Sequence, residues 1–248
     1  MCQTTETPLK PVSILTADYW RQAARSFADT RMLVVAGLII ALRVAVKLLR
    51  VPLAAGLYLT FDCYVNALGS LVYGPLMGLA AGAVSDTLGC IIAPSGPYFL
   101  PFILVEMSSS FIFALFFWRQ PLRIPRILLA KFTVNLICNI CLTSLFMKWD
   151  YYVFYGAEEA QGYAIINLVR IVKGLVLFPA ESLLIALIFR AIMPALRSLR
   201  LVKNNGDLNP QRRHYWLIAL LTLASIGLVL LYIFFLKDFV SAHNIKWL

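Results

Sequence analysis

The chain has 248 residues, of which 61% are hydrophobic and 14% charged, and a formal net charge of +10; its mean hydropathy is +0.81. These values exclude an ordinary soluble domain of that length. Long Leu, Ile, Val and Phe runs without two-residue alternation point away from an outer-membrane barrel and to an all-α integral membrane protein. The positive charge does not argue for nucleic acid, because the basic residues gather between apolar segments, where membrane topology accounts for them.

Residues 1–30 read as a cytoplasmic arm. Within 12–27, Tyr19, Trp20, Ala23, Ala24 and Phe27 interleave with Asp18, Arg21 and Arg25, the pattern of a helix lying on a membrane surface. The first span, 32–49, carries Gly37, Ala41 and Ala45 four residues apart. At about 100° per residue these form one small-residue stripe, and Arg43, Lys47 and Arg50 lie roughly 200° round from it. Residues 52–57 read as a loop or short re-entrant piece, and 58–73 as the second span. Gly74-Pro75 breaks the chain before a glycine-rich third span, 76–92, with Gly78, Gly82 and Gly89.

An uncharged Pro-Gly loop, 93–98, leads to a fourth span, 100–118, with Glu106 near its start and Ser108, Ser109 and Ser110 behind it. Arg119, Arg123 and Arg126 make a basic loop, and the fifth span, 127–147, places Asn135 and Asn139 one turn apart. Residues 148–163 read as an aromatic loop. A long sixth span, 164–192, contains Arg170, Lys173, Pro179 and Glu181. After Arg197, Arg200, Lys203, Arg212 and Arg213 comes a seventh span, 215–236. The domains are thus 1–30, a membrane bundle over 31–195, and a basic loop with an extra helix over 196–248. The three basic segments fall on one side, which the positive-inside rule makes cytoplasmic. The loops at 52, 94 and 148 then face outward, around the polar ends of the spans.

Charges within a bilayer are costly and mark sites by default. Arg43 faces either a pocket or an ion pair with Glu106 or Asp86. Glu106 is able to accept paired hydrogen bonds from a ligand, or to serve as that partner. Asn139 suits a ligand or an interhelical hydrogen bond. Arg170 and Lys173 suit an anionic tail or simple snorkelling. Glu181 pairs with a neighbouring helix. Among the cysteines, Cys138 and Cys141 have redox or zinc spacing, but within a span and without a second pair they read as small apolar filler. His214 and His243 lie outside the spans, and neither a paired metal-ligand pattern nor a Walker A sequence is present. The expectation is a protein that is not an enzyme and holds no cofactor or metal.

Tyr19-Trp20-Arg21-Gln22-Ala23-Ala24-Arg25, the first span with Ala41 and Ala45, Tyr73-Gly74-Pro75, Ser85-Asp86-Thr87-Leu88-Gly89 and Pro94-Ser95-Gly96-Pro97-Tyr98-Phe99 together resemble the S components of energy-coupling-factor vitamin transporters, in particular their folate group. The resemblance runs over 19–192. It implies a six-helix, vitamin-binding subunit of a bacterial plasma membrane, which associates with a transmembrane coupling subunit T and two ATPases that consume the ATP. It also implies that Gly37, Ala41 and Ala45 contact the coupling subunit, and that the loops after the first, third and fifth helices shape the pocket. On this reading Arg43, Arg50 and Lys173 balance the glutamate carboxylates of folate, and Glu106, Asn139 and the Ser95-Gly96 backbone meet the pterin beside Tyr98. The sequence departs from the folate group in its seventh span, at Leu57-Tyr58-Leu59-Thr60 in place of a more basic segment, and at Cys138-Asn139-Ile140-Cys141, which lacks an Asn-Thr pair. The alternatives are the same architecture holding another vitamin or nucleobase-like precursor, or a stand-alone ion-coupled transporter.

Overall fold

A computed structural model describes residues 14–54, 57–92, 99–156 and 168–202, together with Trp216, Leu220, Leu223 and Gly227. The expected seventh span lies outside the described residues except for those four positions, which are helical.

Helix α1 (Ala17–Arg25) buries Tyr19 and Ala23, one turn apart, and leaves Asp18, Arg21 and Arg25 exposed. The Tyr19 ring meets Trp118 edge-on at 4.9 Å, and burial pushes its phenol up to about 12. Asp29 caps α2 (Thr30–Lys47) by accepting a hydrogen bond from the Arg31 N–H at 3.0 Å. Ala36, Ile39, Arg43 and Val44 form its buried face, whereas Gly37, Ala41 and Ala45 are exposed.

The chain then turns back as a hairpin, β1 (Arg50–Ala54) with β2 (Leu57–Thr60), pairing Val51 with Leu59 and Pro52 with Tyr58 across an irregularity. This corrects the loop expected at 52–57 and the span expected from 58. Val51, Leu53, Leu57 and Leu59 alternate with other residues at strand period, a pattern too short to outweigh the surrounding apolar runs when read in sequence. Helix α3 accordingly begins later, at Asp62, and runs to Tyr73.

Gly74, at φ 83°, separates α3 from α4 (Pro75–Ile92), and a β-carbon there would come within 2.8 Å of the Trp118 ring. The third span matches α4. A β-carbon at Gly82 would lie 3.0 Å from the Glu106 carbonyl oxygen, so glycine brings α4 against the backbone of α5 (Phe102–Phe117).

Helix α6 runs from Ile124 to Tyr155, with a π-helical segment at Asn135–Leu142. It thus continues through the first half of the loop expected at 148–163. Trp149 and Phe154 pack on Phe99 at 5.4 and 6.3 Å, and this contact with the entry to α5 sustains the helix beyond the apolar run. Helix α7 (Leu168–Ser198) passes through Pro179 and Pro194 and ends a turn and a half beyond the expected 192. Its last turn is held by Arg31, whose Nη2 donates to the Leu199 carbonyl at 2.5 Å.

Helices α2–α7 form the expected six-helix membrane bundle. Among the described residues, Pro75–Ile92, Ile124–Phe154 and Leu177–Ser198 are long and apolar enough to cross a bilayer, and Phe102–Phe117 is a shorter apolar helix. Leu38, Leu42, Leu129, Phe132 and Leu187 are exposed on the outside of the bundle, as lipid contact requires. The core is centred on Tyr73, Phe113, Phe117 and Phe189, with Phe117 and Phe189 edge-on at 5.1 Å.

Candidate functional site

Four helix ends converge at the end of the bundle away from α1: the C-termini of α2 and α4 and the N-termini of α3 and α5. They bring together two cations and three carboxylates. Arg43, fully buried, donates from Nη2 to Glu106 Oε2 at 2.7 Å, and its Nε lies 3.5 Å from Asp62 Oδ1. Lys47 Nζ lies 3.3 Å from Asp86 Oδ1 and 3.5 Å from Glu106 Oε1. A buried ion pair stands only when its remaining donors and acceptors are satisfied. The polar face of α3 does part of this. Asn66 Oδ1 accepts from the Ser110 hydroxyl at 2.7 Å, Asn66 Nδ2 donates to Ser109 at 3.0 Å, and Ser110 Oγ accepts from Arg43 at 3.3 Å.

The cluster is stratified. Arg43 is at the bottom with 0% of its side chain exposed, while Lys47, Asp62, Asp86 and Glu106 keep 17–21%. A molecule approaching from the hairpin side therefore meets carboxylate and ammonium before guanidinium.

Of the residues singled out in the sequence, Arg43 and Glu106 are brought into contact with each other. Asn139 stands on α6, where it donates to Asn135 Oδ1 at 2.9 Å, and Asn135 in turn donates to the Gly174 carbonyl of α7 at 3.3 Å. This pair opens the π-helical segment, in which Thr143 Oγ1 donates to the Cys138 carbonyl, five residues back, at 2.8 Å. Ser95, Gly96 and Tyr98 lie outside the described residues, and so do the side chains of Arg50, Arg170 and Lys173. Gly37, Ala41 and Ala45 stay exposed, and a β-carbon at Gly37 would meet nothing within 4 Å.

Asp62, Asn66 and Lys131 escape a reading by spans. Asp62, Asn66 and Ser70 recur every four residues, a polar face on one side of α3 that was available as a signal. Lys131, buried within α6, lies 2.8 Å from Glu181 of α7, and its Nζ donates to Cys63 Sγ at 3.1 Å. Glu181 thus has the helix partner expected of it, and this second pair borders the first through the adjoining residues Asp62 and Cys63. Among the described residues no group of three or more His, Cys, Asp or Glu is arranged to hold a metal.

Comparison with known proteins adds the family. The folate transporter FolT of Clostridium novyi (strain NT) is 27% identical over 119 residues, 48% of this chain and 64% of that protein, so the chain spans less than two thirds of this relative's length. The folate transporter FolT of Leuconostoc mesenteroides subsp. mesenteroides is 28% identical over 154 residues, 62% of this chain and 81% of that protein. A crystal structure of FolT bound with folic acid resembles this fold with a TM-score of 0.51 at 24% identity, covering 62% of this chain and 88% of that one. The family described as ECF-type riboflavin transporter, S component, matches residues 27–198, which is well over half the chain and takes in all six membrane helices. On that match, this chain belongs to the ECF-type transporter S-component family.

Proposed function

We propose that this multi-pass plasma-membrane protein is the substrate-binding subunit of an ATP-driven bacterial vitamin uptake system, that its substrate is folate, and that it is not itself an enzyme. The observation that carries the choice of folate is that the curated relatives at 27% and 28% identity are folate transporters. The chemistry of the cluster supports it. Glu106 and Asp62 keep part of their side chains exposed beside a fully buried arginine, and a carboxylate accepts paired hydrogen bonds from the 2-amino-pyrimidinone edge of a pterin as it does from a guanidinium.

On this reading Arg43 acts from beneath, holding Glu106 and Asp62 in place. Lys47, Arg50 and Lys173 supply charge for the glutamate tail, and Glu106, Asn139 and the Ser95-Gly96 backbone meet the pterin beside Tyr98. Residues 1–30 and 196–248 flank the substrate-binding bundle of 31–195. The exposed stripe of Gly37, Ala41 and Ala45 docks on a coupling subunit T, which two ATPases drive, and no bound cofactor is required in this chain.

Equilibrium titration of the purified protein with folate tests the reading. Sub-micromolar binding is expected, with a loss in Arg43→Ala; no such affinity, with wild type and variant alike, removes it. The family's description makes riboflavin the second candidate, and riboflavin binding that folate does not displace would favour it.

A further inference from the structure

The opposite end of the bundle, where α1 and the arginine-rich segments lie, holds a cavity of about 240 Å³, well above the ~10–15 Å³ that one water requires. Arg25, Arg119 and Arg200 line it, with Asp29 as the acid. Asp29 already accepts a hydrogen bond from the Arg31 N–H as the cap of α2. Among the described residues, no carboxylate lies within 4.0 Å of the three guanidiniums. Arg119 lies over the Trp118 ring at 4.7 Å, and burial holds it below the usual arginine range. Gln22 also lines the cavity, and its buried side-chain Oε1 position has no hydrogen-bond partner. A half-turn of that amide would present an N–H donor instead.

The backbone gives a second, independent indication. Arg119 and Arg200 have φ of 54° and 53°, the described non-glycine residues with positive φ, and each follows the C-terminus of a helix, α5 and α7. Glycine is the usual occupant of that position, and a residue with a β-carbon is strained there. Two arginines accept that strain at the wall of one cavity, and strain of this kind clusters at functional positions.

We propose that this cavity binds a phosphate-bearing anion at the basic membrane surface, gripped by the guanidiniums of Arg25, Arg119 and Arg200. Arginine's planar fork matches phosphate oxygens in pairs. The apolar wall of Met32, Leu201 and Val202 leaves room for the chain of an anionic phospholipid as well as for a free phosphate.

The test uses the full-length protein in a neutral detergent, titrated separately with dioctanoyl-phosphatidylglycerol, dioctanoyl-phosphatidylcholine and inorganic phosphate, and read by tryptophan fluorescence, since Trp118 lines the cavity. Saturable binding of phosphatidylglycerol alone identifies the lipid headgroup as the source, and saturation by inorganic phosphate identifies a free anion. Either should weaken by at least about tenfold in Arg119→Gly/Arg200→Gly. Glycine suits positive φ, so this variant should melt no lower than wild type without ligand. Folate affinity should be unchanged in it, which separates this test from that of the vitamin site. No saturable response to phosphatidylglycerol or phosphate, equal affinity for phosphatidylcholine, or undiminished binding in the double variant overturns the proposal.

Discussion

Lys131 and Glu181 show how a buried charge decides the behaviour of a residue. Their side chains are 2% and 11% exposed and 2.8 Å apart, so each spares the other an uncompensated charge in a low-dielectric interior. Lys131→Met should cost about 3–5 kcal/mol, because it strands the glutamate. Lys131→Met/Glu181→Gln should recover most of that loss, since both charges are then gone. Chemical unfolding in detergent, read by circular dichroism, measures both variants. Equal destabilisation in the two would mean that shape rather than charge pairing matters here. Arg43 belongs to the same class of buried cation, but its carboxylates are partly open, so its loss should also be read in ligand affinity.

Two helices carry glycine for opposite reasons, and substitution by alanine separates them. Gly37 of α2 faces open space, so Gly37→Ala should stabilise the isolated chain by up to about 1 kcal/mol through helix propensity. Gly82 of α4 faces backbone, with a β-carbon 3.0 Å from both the Glu106 carbonyl oxygen and the Met107 Cα. There the same propensity gain is outweighed by an overpacking cost of about 1–3 kcal/mol. Gly82→Ala should therefore melt lower and bind folate more weakly, since the backbone it displaces carries Glu106. Thermal unfolding and folate titration of the two variants check this, and a stabilised Gly82→Ala would contradict the close contact of α4 and α5.

For the whole molecule, the charge cluster proposed to meet the ligand and the proposed docking stripe share α2 but lie on different faces, one buried and one exposed. Ala41→Trp should abolish co-purification with the coupling subunit and ATP-dependent uptake into vesicles while leaving folate affinity unchanged, and Ala45→Gly should preserve all three. Uptake driven by an ion gradient without the ATPases would instead indicate a self-sufficient transporter. Much of this design is legible in sequence. Apolar length and the Gly74-Pro75 break place the third and fourth spans, because burial in lipid demands long apolar helices whatever their neighbours. The polar content of the first span likewise marks it as carrying more than lipid contact. The remaining features depend on contacts between residues far apart in the chain. Arg43 meets Glu106 and Asp62, 63 and 19 positions away in sequence number, because four helix ends converge. Residues 148–155 stay helical because Phe99 packs against Trp149 and Phe154. Arg119 and Arg200 face one cavity because α5 and α7 end at the same level. Periodicity reports which way a side chain leaves its own helix, and the identity of its partner is fixed only when the helices meet.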